Sequence, residues 1–155
     1  MELKFKVAAR IAKPVEHVFE AVVEPSSLSS YFTTGGAKGR LEAGATVTWD
    51  FHDFPGAFPV EVVELVPNAK IVLQWGAVDE SGSQSSEAEY RTTMTMNFIS
   101  LEDGRTLVTV SEQGWREDEA GLQASYGNCE GWTQMLCSLK MWVERGINLR
   151  ADYYR

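Results

Sequence analysis

One pattern limits what this chain can fold into more than any other. Short runs of alternating apolar and polar residues follow one another through its middle, and a single long apolar stripe at helical spacing comes after them. Val47-x-Trp49-x-Phe51, Phe58 to Val66, Ile71-x-Leu73-x-Trp75, Tyr90-x-Thr92-x-Met94-x-Met96-x-Phe98 and Thr106 to Glu112 all read as strands, because successive strand side chains point to opposite faces. Leu3, Phe5 and Val7 add an opening run. The turns Asp53-Phe54-Pro55-Gly56, Pro67-Asn68 and Asp103-Gly104 are short, and strands joined so tightly pair antiparallel. A sheet of about six strands must cover its apolar face. Trp132, Met135, Leu136, Leu139 and Val143 recur at i, i+3, i+4, i+7 and i+11. The helix they predict, from roughly Gly131 to Arg145, is the one element long enough to provide that cover, and Gly146 stops it.

Between the first strand and the meander, Pro14 opens a helix that turns Val15, Val18, Phe19, Val22 and Val23 inward and ends before Pro25. A second short helix over Ser26 to Phe32 follows, with Leu28, Tyr31 and Phe32 inward, and Gly35, Gly36, Gly39 and Gly44 mark loops beyond it. Asp79 to Glu87 is a serine-rich stretch that predicts a solvated loop. The fold class is therefore α+β. No repeat and no Pro- or Ser-rich linker divides the 155 residues, so one domain over 1–155 is expected. A chain of that length buries about 70% of its unfolded surface and needs no metal or disulfide staple.

Charge narrows the partners. Fourteen basic residues stand against 22 acidic ones, a net of -8, and the loose basic group Lys140, Arg145, Arg150 and Arg155 is interrupted by Glu144 and Asp152. Neither nucleic acid nor an anionic membrane is an expected partner, since both need a gathered cationic face. Cys129 and Cys137 lie eight positions apart in the helical segment, about 12 Å along its axis. A disulfide requires Cα atoms about 4.4–6.8 Å apart, so a reducing compartment fits. The opening Met1-Glu2-Leu3-Lys4-Phe5-Lys6 is not a secretory leader, and no apolar run approaches a membrane span. A cytoplasmic location is expected.

Several stretches resemble a known superfamily. Ile11-Ala12-Lys13-Pro14-Val15-Glu16-His17-Val18-Phe19-Glu20-Ala21 resembles the opening I-x-A-P-x-x-V-F/W-x-A of START-like SRPBCC proteins, and Pro25-x-x-Leu28-x-x-Tyr31-Phe32 resembles the motif that follows it. Trp49-x-Phe51, Pro67 to Trp75, Gly104-Arg105-Thr106-x-Val108 and Gly114-Trp115 continue the series. Gly131-Trp132-x-x-Met135-Leu136-x-x-Leu139-Lys140-x-x-Val143-Glu144-x-Gly146 is similar to the ending of homologues of the activator of the 90-kDa heat-shock chaperone's ATPase. Lys13 stands where the family usually has Ala, and Tyr31 where it usually has Trp. The resemblance implies the helix-grip fold, a curved antiparallel sheet around the long C-terminal helix with a cavity between them. The eukaryotic activator has a separate N-terminal domain that contributes to chaperone binding. No such domain is expected here, so the family name need not be this chain's activity.

Few residues offer catalytic chemistry. No nucleophile elbow, zinc-protease motif, phosphate loop or dinucleotide fingerprint occurs, and Gly35-Gly36-x-x-Gly39 reads as a turn. His17 lies off the apolar face of its helix. His52 shares a strand face with Asp50 and reads either as a solvated loop-edge residue or as an acid–base or metal pair, although zinc needs three or four protein ligands. No metal, cofactor or catalytic residue is assigned. Glu112 shares a face with Val108 and Val110. It reads as a buried carboxylate bridged to a cation such as Arg91, as a ligand anchor, or as an acid. Gly127 and Gly131 admit two readings: small residues that let the sheet or a guest approach, or a frayed start to a helix that is regular only from about Asn128.

The leading expectation is a binding module for a small, mostly apolar molecule. Its lining would be Trp49, Phe51, Trp75, Tyr90, Met94, Met96, Phe98, Glu112, Trp132, Met135 and Leu139, with the methionines as adaptable walls. The alternative is a chaperone-associated regulator acting through exposed aromatics, chiefly Phe54, Phe58 and Trp115. An enzyme on a bulky ring substrate, using His52 or Glu112, is the third reading.

Overall fold

The computed structural model describes residues 1–78, 82–85, 87 and 89–154. The expected serine-rich loop therefore falls in part outside the described residues, at 79–81 and 86, as does Arg155 of the basic group. The elements run β1 (Lys4–Ile11), α1 (Val15–Val23), α2 (Pro25–Tyr31), β2 (Gly36–Lys38), β3 (Thr46–Phe51), β4 (Phe54–Val66), β5 (Lys70–Gly76), β6 (Arg91–Ser100), β7 (Thr106–Gln113) and α3 (Glu119–Arg145).

The strands form one antiparallel sheet in the order β1-β7-β6-β5-β4-β3-β2. It has seven strands, not about six. The extra strand, β2, is three residues long and pairs Ala37 with Trp49, too short to show a period. From β3 to β7 the chain is the expected meander, and β1 returns to the far edge beside β7, with Val7 opposite Val110. Register shifts between Trp49 and Phe51 and between Val62 and Glu64 interrupt the ladders around β4. Such bulges bend a strand and increase its twist, and they fall in the part of the sheet that frames the cavity below.

Alternation decides the inner face. Thr92, Met94, Met96 and Phe98 of β6 and Val108, Val110 and Glu112 of β7 are buried. The apolar ones among them join Val18, Phe19, Val22, Leu28 and Tyr31 of the short helices and Met135, Leu136, Leu139 and Val143 of α3 in one core. α3 is the grip, packed along β1, α1 and α2.

It is also longer than its stripe implies. Asp118 accepts the Gly121 N–H at 2.7 Å and caps a helix that runs twelve residues ahead of Gly131. A frayed start near Asn128 is therefore ruled out. At the other end Gly146 adopts φ 68° and donates to the Trp142 carbonyl at 2.8 Å, a glycine C-cap.

Beyond α3, residues 146–154 turn back towards α2, where Arg150 donates to the Phe32 carbonyl at 2.7 Å. A second, smaller apolar cluster joins Ala77, Tyr90 and Trp115 to Phe5 and Ala124. Among the described residues, no helix is long and apolar enough to cross a membrane.

Candidate functional site

Where α3 begins, its side chains shrink. Ala124, Gly127, Asn128 and Gly131 replace the Met and Leu of the later turns, and opposite them stand Phe51, Phe54, Phe58 and Trp75 of β3–β5. A cavity of about 380 Å³ lies between, bordered also by Phe32, Trp132 and Arg150. A Cβ placed on Gly127 or Gly131 would meet nothing within 4 Å. The sheet therefore does not approach the helix backbone at the glycines, which leave open space. Helix-interior glycine costs about 1 kcal/mol relative to alanine, so two of them facing empty volume are not explained by packing.

The walls are aromatic and mutually braced. Trp75 stacks on Trp132 with centroids 5.8 Å apart and planes 12° from parallel, while Phe51 stacks on Phe58 at 5.9 Å. Phe32 meets Phe51 edge-on at 4.9 Å and packs on Trp132 at 5.6 Å. Each contact restricts ring rotation, so the cavity is preformed. Edge and offset contacts of this kind add about 0.5–1.5 kcal/mol each beyond area burial.

Glu112 lies behind this wall. Only 1% exposed, its Oε1 accepts the Trp132 indole N–H at 2.8 Å and its Oε2 accepts the Asn128 amide at 2.8 Å. Two lining residues are thus oriented by one carboxyl. No cation lies within ion-pair distance of it among the described residues, and burial pushes the carboxyl up from its ordinary value of 4.5, against the opposing pull of these hydrogen bonds. A bridge to Arg91, one of the readings the sequence left open, does not form. Arg91 sits on the other face of β6, donating to Glu61 Oε1 at 3.1 Å and to the Gln74 carbonyl at 3.3 Å.

Of the residues expected to line a ligand site, Phe51, Trp75 and Trp132 border this cavity. Trp49, Met94, Met96, Phe98, Met135 and Leu139 are placed in the packed core, and Tyr90 in the small cluster with Trp115. The alternation that identified them marks the inner face as a whole, not the part of it left uncovered. Phe32, Asn128 and Arg150 line the cavity and were not singled out for it. The helix glycines were the sequence signal that pointed there.

The outer-surface aromatics need correction. Phe58 is 8% exposed and Trp115 5%, because β4 begins at Phe54 and turns Phe58 inward, and Trp115 stacks on Phe5 at 5.8 Å. Phe54 is half-buried on the cavity side. His17 is exposed on α1. His52 lies in the β3–β4 turn, not on the strand face of Asp50, with its backbone N–H donated to Thr34 Oγ1 at 2.7 Å. Among the described residues no cluster of His, Cys, Asp and Glu is arranged to hold a metal.

Residues 12–144 match the family described as activator of Hsp90 ATPase homolog 1-like protein. The chain belongs to that family, within the START-like superfamily. Solved structures repeat the fold of this Aha1-like protein. One from Staphylococcus saprophyticus is 26% identical, with 95% of this chain and 96% of that one covered at a TM-score of 0.74. The Aha1 dimer from Colwellia psychrerythraea is 22% identical, with 92% and 97% covered at 0.71. CalU16 from Micromonospora echinospora is 17% identical, with 92% and 77% covered at 0.68. No curated protein matches the sequence. The family and fold point to ligand binding or a regulatory role in general.

Proposed function

We propose that this Aha1-like chain is a binding module for a small, mostly apolar molecule, held between β3–β5 and the first half of α3. The observation that carries the reading is the open volume above Gly127 and Gly131, faced by Phe58 and Trp75. A cavity of about 380 Å³ lies within the usual range for small-molecule sites, roughly 300–1,000 Å³. Stacked, braced rings suit a flat guest, which can slide between them with little loss of wall entropy.

Native mass spectrometry of the protein from its own cells, followed by a thermal-shift screen of apolar ring compounds, tests this. Ligand at 100 times its Kd should add about 2.7 kcal/mol of stability. A protein that emerges empty and is stabilised by none of the compounds would sink the reading.

The family match favours a second reading, a regulatory protein acting on a 90-kDa heat-shock chaperone. Two of its three candidate surface anchors, Phe58 and Trp115, are buried. A pull-down and ATPase assay with the chaperone of the same cell would separate the two. Stimulation that survives blocking of the cavity would favour the surface.

A further inference from the structure

Two charged side chains are buried among the described residues, Glu112 and Arg150. The first stands behind the cavity wall, whereas the second forms part of it. Arg150 is 7% exposed. It is held there by the segment after α3, where its backbone N–H donates to Asn148 Oδ1 at 2.9 Å.

The groups that its guanidinium donates to are all neutral. Nη1 donates to the Phe32 carbonyl at 2.7 Å. Nη2 donates to Gln134 Oε1 at 3.2 Å and to the Tyr154 hydroxyl at 2.7 Å, and that hydroxyl itself donates to Gln134 Oε1 at 3.0 Å. The rings of Phe32 and Phe51 lie 5.5 and 5.7 Å from its Cζ. These contacts fix its geometry without a direct ion pair among the described residues. No carboxylate among the described residues lies within 4 Å of it. Asp53, exposed on the cavity rim, is beyond that distance, though near enough to act on the Tyr154 hydroxyl that Arg150 meets. An arginine has five N–H donors. Three are used here, so Nε–H and one Nη1–H have no protein acceptor among the described residues.

A charge largely taken out of water is stabilised by a partner of opposite sign, and this chain, at -8 overall, does not attract anions. The anionic partner must therefore be selected locally. We propose, resting on the cavity reading above, that the guest is an amphipathic acid. Its ring body would lie against Trp75, Trp132, Phe51 and Phe58, and its carboxylate would pair with Arg150.

The test compares 2-naphthoate with its neutral isostere 2-naphthamide by calorimetry and tryptophan fluorescence, on the full chain. The wild type should bind the acid tighter by on the order of tenfold to a hundredfold, the size of a charge-assisted hydrogen bond. Arg150→Gln should abolish that preference, weakening the acid by far more than it weakens the amide. Arg150→Lys keeps the cation and should still prefer the acid, and both variants are checked for folding by circular dichroism. Equal affinity of the wild type for acid and amide overturns this proposal and leaves the cavity reading standing. So does a preference that survives Arg150→Gln, or one that vanishes in Arg150→Lys. If neither compound binds, this proposal falls, and the cavity reading is decided by the native mass spectrometry and thermal-shift screen.

Discussion

The two halves of α3 face the same sheet and do opposite things with it. From Met135 onward, Leu136, Leu139 and Val143 fill the space down to Val108, Val110, Met96 and Phe98, and that end is sealed. From Ala124 to Gly131 the helix offers alanine, glycine and asparagine to an equally apolar wall of Phe58 and Trp75, and that end is open. The sheet supplies large side chains at both ends, so its composition does not make the cavity. The difference is written on the helix, in side-chain volume. A cavity of this kind can be closed by one substitution on α3, whereas a cavity set by sheet curvature could not.

The comparison breaks most visibly at the sealed end. Leu139 is fully buried, so Leu139→Ala should lower stability by about 2–5 kcal/mol in urea denaturation. Affinity for 2-naphthamide should stay unchanged in the fraction that remains folded. A large loss of affinity together with intact stability would show that the two halves are one site after all.

At the open end the signs exchange. Gly131→Phe puts a ring into volume where a Cβ meets nothing. The fold should survive, with 2-naphthamide affinity down by at least about tenfold, or roughly 1.4 kcal/mol. Calorimetry that found the affinity unaltered would remove Gly131 from the site.

Much of this division was visible in the sequence, and the exceptions have physical causes. The strand alternations and the stripe from Trp132 to Val143 were legible because each is a period repeated several times. The first twelve residues of α3 were not, since Gly121, Gly127 and the scattered Leu122 and Ala124 make no stripe, and the Asp118 cap that starts them is a single residue. β2 is shorter than any period. Glu112 was recognised as buried from its place beside Val108 and Val110, but its partners Asn128 and Trp132 lie on another element, and alternation carries no information across elements. Arg150 was least legible. It belongs to a polar tail after a helix stop, where burial arises only because the chain folds back onto Phe32.

Glu112 ties the two halves together, and pH should show it. Its carboxyl titrates higher folded than unfolded because burial disfavours the charge. Below the ordinary value of 4.5 the group is protonated in both states and makes no difference. Above it, the unfolded chain loses the proton first, so folding binds a proton and stability declines as pH rises towards the folded-state value. The stability of the wild type minus that of Glu112→Gln should therefore fall with rising pH across that window, by up to about 1.4 kcal/mol per pH unit. Subtracting the variant cancels the opposite contributions of Glu20 and Glu144, whose partners Arg40 and Ala12 hold their carboxyls low. A flat difference between acid and neutral pH would mean that the carboxyl is better solvated than its burial implies.

The smallest expected effect tests why the glycines are there at all. Gly127→Ala and Gly131→Ala each add a methyl where nothing lies within 4 Å, inside a regular helix. Alanine restricts the unfolded chain and favours the helix, so each change should raise stability by up to about 1 kcal/mol. The positions lie on successive turns and their methyls would not touch the opposite wall, so the gains should add to within a few tenths of a kcal/mol. The same two methyls enter the cavity, and together they should weaken 2-naphthamide modestly, by less than Gly131→Phe does. A gain in stability paired with a loss in binding is the signature of residues kept small for a guest. If the double variant is destabilised instead, the glycines serve the backbone, and the contrast between the open and sealed halves of α3 rests on the aromatic wall alone.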